Sequence, residues 1–175
     1  MTEKPLRFPR SIRLDESDVS VFESAAAPGE WAVSGAFAFS QLTPEDLQGK
    51  TRQAFAHGFL GLESFGRSTL VTVTDIDRES YEGIIDLLAR HFVEHYGAPD
   101  MAAARPAAEE EAAFAASLCD HPINTLLAVS RELEDRGIVE SFRVITPEGP
   151  KSHAKIWEIV EQESDPDDDA LQNES

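Results

Sequence analysis

RPAAEEEAAFAASLCDHPINTLLAVSREL, residues 105–133, is the stretch on which the fold turns: an alanine-rich helix, a turn, and then an apolar strand. Pro106 suits the first turn of a helix, Glu109, Glu110 and Glu111 favour its N-terminal half, and Pro122 stops it from continuing past His121. The spacing predicts one small-residue side (Ala104, Ala108, Ala112, Ala115 and Ala116) and a second side carrying Ala107, Phe114 and Leu118. A helix buried on two flanks is the expectation. The rest of the chain reads as segments that pack around this unit.

Downstream, residues 123–133 and 138–145 form two strands about Glu134-Asp135-Arg136-Gly137, a hairpin signal. A last strand is expected over 153–161, followed by an acidic disordered tail at 162–175. Upstream, Ile12, Leu14, Val19, Val21 and Phe22 are spaced like one bent or two short strands. In residues 31–40, Trp31, Val33, Gly35, Phe37 and Phe39 alternate with small residues, which predicts a strand. Thr43-Pro44-Glu45-Asp46 is a helix start, with the helix expected to run to His57. Residues 68–76 read as a strand, and Asp77 as the cap of a helix whose apolar stripe is Tyr81, Ile84, Ile85, Leu88 and Phe92.

The order gives an α+β domain: an antiparallel or mixed sheet of about five to six strands with about three helices on one face. A single domain over 1–161 is expected, with 1–11 as a basic extended arm carrying Lys4, Arg7 and Arg10. At 175 residues a core can form without disulfides, and the single cysteine with no CxxC motif points to a reducing compartment. Residues 1–14 contain no apolar signal region, and no apolar run approaches the roughly 20 residues of a membrane span. The expectation is a bacterial-type cytoplasmic protein with no membrane partner. A net charge of -18 opposes contact with phosphate backbones, so nucleic acid is not an expected partner.

Four groups could carry chemistry. Cys119 sits with Asp120 and His121 in the turn and is a candidate reactive thiol, although the partial negative charge at a helix C-terminus disfavours thiolate. His91 and His95 lie one helical turn apart and could hold a divalent metal, with Glu109, Glu110, Glu111, Asp120 or His121 as a third ligand. Phe92 occupies the position where a zinc-protease HExxH motif needs glutamate. The loop GFLGLESFGR, 58–67, matches no phosphate-loop pattern, and its Phe59, Leu60, Leu62 and Phe65 either plug the core or form an interface with a second subunit. Arg67, Arg131 and Arg143 could supply an anion-binding charge, and Trp31, Phe37 and Phe39 could line a small-ligand pocket.

The set RSIRLDESD, WAVSGAFAF, FLGLESFGRSTLV and AAEEEAAFAASLCDHPINTLLAV resembles an uncharacterised alphaproteobacterial family of the domain-of-unknown-function type. The resemblance implies no activity, cofactor or catalytic residue. The functional expectation is a non-catalytic cytosolic accessory or protein-association module, as a homodimer or with a partner protein. The alternative is a small metal-dependent hydrolase or ligand-binding protein using His91, His95 and nearby carboxylates.

Overall fold

The computed structural model describes residues 5–147 and 157–161 of the chain. It is an α+β fold with two antiparallel sheets. Strand β1 (Arg7–Ile12) is followed by a short helix α1 (Ser17–Val21), strand β2 (Ala32–Val33) and helix α2 (Gly49–His57). Next come β3 (Phe59–Gly61), β4 (Arg67–Ser68), β5 (Leu70–Asp75), helices α3 (Arg78–His95) and α4 (Met101–Ser117), and strands β6 (Leu126–Glu134), β7 (Gly137–Pro147) and β8 (Trp157–Glu161). The larger sheet has the order β1-β5-β6-β7-β8 and the smaller β2-β3-β4.

Where local signals are complete, sequence and structure coincide. Asp77 caps α3 by accepting from the Ser80 amide at 2.7 Å, and Ile84, Ile85, Leu88 and Phe92 of its stripe are buried. The β6–β7 hairpin closes on the pair Glu134↔Gly137, with Gly137 at φ +122. The backbone of Trp157–Glu161 forms the fifth strand of the larger sheet, whereas the acidic tail lies outside the described residues.

Several local expectations are corrected. The alanine-rich helix starts a turn and more earlier, at Met101, because Asp100 caps it by accepting from the Ala103 amide at 2.8 Å. Pro106 therefore lies inside the helix, where it removes one backbone bond. Ala104, Ala108, Ala112 and Ala115 make the single buried side, and Phe114 is 40% exposed, so the second flank is not core. The 31–40 segment is not one strand: Gly35, at φ +79, ends β2 and Ala36–Phe39 coils into a 3-10 turn. A Cβ on Gly35 would lie 2.5 Å from Leu60 Cβ, so the bend requires glycine for space as well as for φ.

The 43–57 helix is split. Thr43 and Asp46 form a reciprocal cap on the 3-10 turn Pro44–Asp46, and α2 begins only at Gly49. Residues 17–21 are helical rather than extended, and buried Asp18 anchors α1 by accepting from the Thr69 hydroxyl at 2.6 Å. Of the expected arm, residues 1–4 lie outside the described residues, and from Arg7 the chain forms β1 in register with β5 and buries Phe8 completely.

Two apolar clusters form the interior. One joins α3 and α4 to Phe8, Val33, Leu60 and Leu62; the other joins Val71, Val73, Leu127 and Val129 to Ala32, Phe59 and Cys119. Arg131 lies two residues beyond Val129 on the same face of β6, opposite Glu140 on β7. A charged pair is thereby set at the end of an apolar sheet face.

Candidate functional site

Of the residues expected to form a metal or polar cluster, His91 and His95 stand together and the others lie elsewhere. His91 and His95 close α3: the His91 ring stacks on Phe65 with centroids 4.0 Å apart and planes 8° from parallel, and lies 4.8 Å from the His95 ring. Burial, then the neighbouring His95, holds His91 below the usual histidine pKa, against the opposing pull of Glu94. Glu110 is exposed on α4. Glu111 turns inward, and its Oε2 accepts from the Gly35 amide at 3.3 Å. Asp120 and His121 follow α4, where the His121 carbonyl accepts from Arg7. Among the described residues no three His, Cys, Asp or Glu side chains come together to hold a metal ion.

Cys119 is 2% exposed, and burial pushes its thiol up to about 12. It is packed in the sheet-side apolar cluster as a small apolar side chain. The 58–67 loop belongs to the interior as well. Phe59, Leu60 and Leu62 are 0%, 4% and 2% exposed, so three of the four residues expected at an interface are core, and only Phe65 is partly accessible.

What the fold does assemble is a buried pair of arginines. The side chain of Arg131 is fully buried, and its Nε donates to Glu140 Oε2 at 2.8 Å. Nη1 donates to the carbonyls of Phe55 at 2.8 Å and Gly58 at 2.9 Å, and Nη2 to the carbonyl of Ser34. Phe55 lies in the last turn of α2 and Gly58 is its C-terminal cap, so the guanidinium satisfies carbonyls that the helix end leaves open and meets its partial negative charge. The Ser34 hydroxyl donates to Glu140 at 2.5 Å and completes the network. Burial, the largest influence, lowers the Arg131 pKa, opposed by Glu140 and then Glu111.

Arg67 is the second arginine, and its environment differs. Its backbone is pinned on both sides, with its amide donating to Ser24 and its carbonyl accepting from Ala26, each at 2.8 Å. A Cβ on the preceding Gly66 would lie 2.6 Å from the Ala25 backbone, which only glycine allows. The side chain donates from Nη1 to the Gly58 carbonyl at 3.2 Å and from Nη2 to the Gly35 carbonyl at 3.4 Å. Its guanidinium carbon stands 4.5 Å from the Phe39 ring centroid. Among the described residues it has no carboxylate partner. Burial, then repulsion from Arg131, lowers its pKa to about 9.

An open cleft lies where α3 ends and α4 begins. It encloses about 690 Å³ and is lined by Phe37, Phe92, His95, Tyr96 and the Ala103, Ala104 and Ala107 side of α4. Phe37 meets Phe92 and Tyr96 edge to face at 5.0 Å and 5.3 Å, which fixes an aromatic wall. Tyr96 is 45% exposed, and burial of the remainder raises its pKa, with Arg67 opposing. Sequence reading identified Phe37 as a pocket residue but not Tyr96, whose role depends on the turn between two helices. Arg67 and Arg131 were visible as charges without a motif. No spacing rule links them, because Arg131 meets Ser34 across 97 residues of chain and Phe55 across 76.

No curated protein and no solved structure matches the chain. A family profile matches residues 6–159, most of its length, and the chain therefore belongs to DUF6505, a family of unknown function.

Proposed function

We propose that this protein is a non-catalytic accessory module that holds a cationic segment of a partner protein in the aromatic cleft between α3 and α4. The observation that carries the reading is the cleft itself: about 690 Å³, walled by Phe37, Phe92 and an exposed Tyr96. Tyrosine and phenylalanine in a preformed concavity are the side chains on which binding energy concentrates. The net charge of -18 supports a partner segment rich in Lys and Arg around an apolar anchor, and disfavours a second copy of the same acidic chain. The Cys119 thiol is buried, and the His91 ring is stacked on Phe65 with Tyr96 tilted beside it.

A cytoplasmic location accords with this reading. No helix among the described residues is long and apolar enough to cross a membrane. The metal-dependent alternative requires three ligands to converge, and among the described residues His91 and His95 have no third His, Cys, Asp or Glu beside them in such a group.

Selection of a displayed random-peptide library on the immobilised full chain tests the reading. The expected result is enrichment of peptides pairing an aromatic or aliphatic anchor with Lys or Arg, lost on Tyr96→Asp. Enrichment that Tyr96→Asp leaves untouched, or none at all, contradicts it.

A further inference from the structure

Arg67 forms one wall of a second, smaller cavity, distinct from the aromatic cleft. It encloses about 220 Å³, below the roughly 300–1,000 Å³ of drug-sized ligand pockets. Phe22, Phe39 and Phe65 give it apolar walls, while Lys50, Thr51 and Glu23 are also part of the lining. Two cationic side chains and one carboxylate thus share the lining with three aromatic rings.

Two features set the cavity apart from ordinary packing. Burying a guanidinium without a carboxylate is costly, and Arg67 is 8% exposed with no carboxylate partner among the described residues. Two long bonds to the Gly58 and Gly35 carbonyls and the face of Phe39 are what meets its positive charge, and Arg131 donates to the same Gly58 oxygen and adds repulsion. Arg131 shows what a structural arginine in this protein looks like, with Glu140 at 2.8 Å and short bonds to carbonyls. Phe65, a wall of the cavity, holds φ +57, a left-handed conformation that is strained for a bulky aromatic residue. Strain and a buried charge without a carboxylate among the described residues thus meet at one concavity.

We propose that this cavity binds a small organic monocarboxylate, its carboxylate paired with Arg67 and Lys50 and its apolar body against Phe22, Phe39 and Phe65. The planar fork of a guanidinium matches a carboxylate in two parallel hydrogen bonds. Lys50 and Arg67 against Glu23 leave a net charge of about one, which fits a monoanion rather than a dianion.

Titration calorimetry of the full chain at fixed ionic strength tests the assignment. The probes are sodium benzoate, neutral benzamide of the same shape, and inorganic phosphate. Benzoate is expected to bind about tenfold or more tighter than benzamide, and tighter than phosphate. Arg67→Met should remove that preference, and Lys50→Met, at an exposed position, should weaken benzoate severalfold. Equal affinity for benzoate and benzamide, no heat with benzoate, or benzoate binding unchanged in Arg67→Met would each overturn the site. Tighter phosphate binding would overturn the carboxylate assignment. Should Arg67→Met not fold, unchanged benzoate binding in Lys50→Met serves as the contradicting result.

Discussion

Arg67 and Arg131 donate to the same oxygen, the Gly58 carbonyl, at 3.2 Å and 2.9 Å. Two buried cations therefore converge on the C-terminal cap of α2, and among the described residues only Arg131 of the two has a carboxylate, Glu140. The charge balance is uneven by construction. One arginine ties α2 to the sheet and the Ser34 loop, and the other leaves positive charge beside a small cavity.

Glu30 illustrates how a buried carboxylate in the same protein is satisfied. It is 2% exposed and accepts from the amides of Ala27, Glu63 and Ser64 and from the Ser64 hydroxyl, at 2.7–2.9 Å. Burial alone would raise its pKa, but the donors of Ser64, Glu63 and Ala27 together hold it below the usual value. A carboxyl lowered on folding adds stability above its unfolded pKa and loses it as pH falls through the folded one. Glu30→Gln should cost about 1–3 kcal/mol at pH 7, with the deficit shrinking below about pH 4. Urea midpoints of both proteins from pH 3 to pH 7 measure this, and a deficit independent of pH would count against it.

Glu111 has the opposite sign. Burial, the largest influence, and the nearby Glu140 raise its pKa, while the Gly35 amide and Arg131 pull it down. The unfolded carboxyl ionises first as pH rises, so the ionised side chain costs the fold stability at neutral pH. Glu111→Gln keeps an acceptor for Gly35 and should raise the melting temperature at pH 7 by a few degrees at most. The gain should vanish below the ordinary carboxylate range. Thermal unfolding at pH 4 and pH 7 separates the two outcomes; a variant less stable at pH 7 would refute the assignment.

Cys119, buried with its thiol pushed up to about 12, should resist a thiol reagent at pH 8 in the native protein and react at once in guanidinium. Full native labelling within minutes would show that the α4–β6 turn opens.

Legibility in the sequence followed how local each signal was. The Asp77 cap and the α3 stripe are complete within one helix, and the β6–β7 turn within four residues, so pattern and structure agree there. Alternation in 31–40 could not reveal Gly35 at φ +79, because spacing of phenylalanines is compatible with a strand or with a bent segment whose rings part. Phe37 goes to Phe92 and Tyr96, whereas Phe39 goes to Phe55 and the arginines. The RFPRSI segment reads from sequence as part of a basic extended arm because its charge and proline mask an edge strand that only pairing with β5 defines. The arginine pair is hidden for the same reason: its partners come from the residue after β2, from α2 and its C-terminal cap, and from β7, and no local window contains them.

The most direct measurement is urea unfolding of Arg67→Met and Arg131→Met side by side at pH 7. Removing Arg131 takes the guanidinium from Glu140, which keeps the Ser34 hydroxyl, and a donor from the Phe55, Ser34 and Gly58 carbonyls, of which Gly58 keeps Arg67, and should cost about 3–5 kcal/mol. Removing Arg67 deletes two long hydrogen bonds together with a buried charge that has no carboxylate partner among the described residues, and should cost less than about 1 kcal/mol or stabilise the fold. Comparable large losses in both variants would make Arg67 a second structural staple and contradict the division between them.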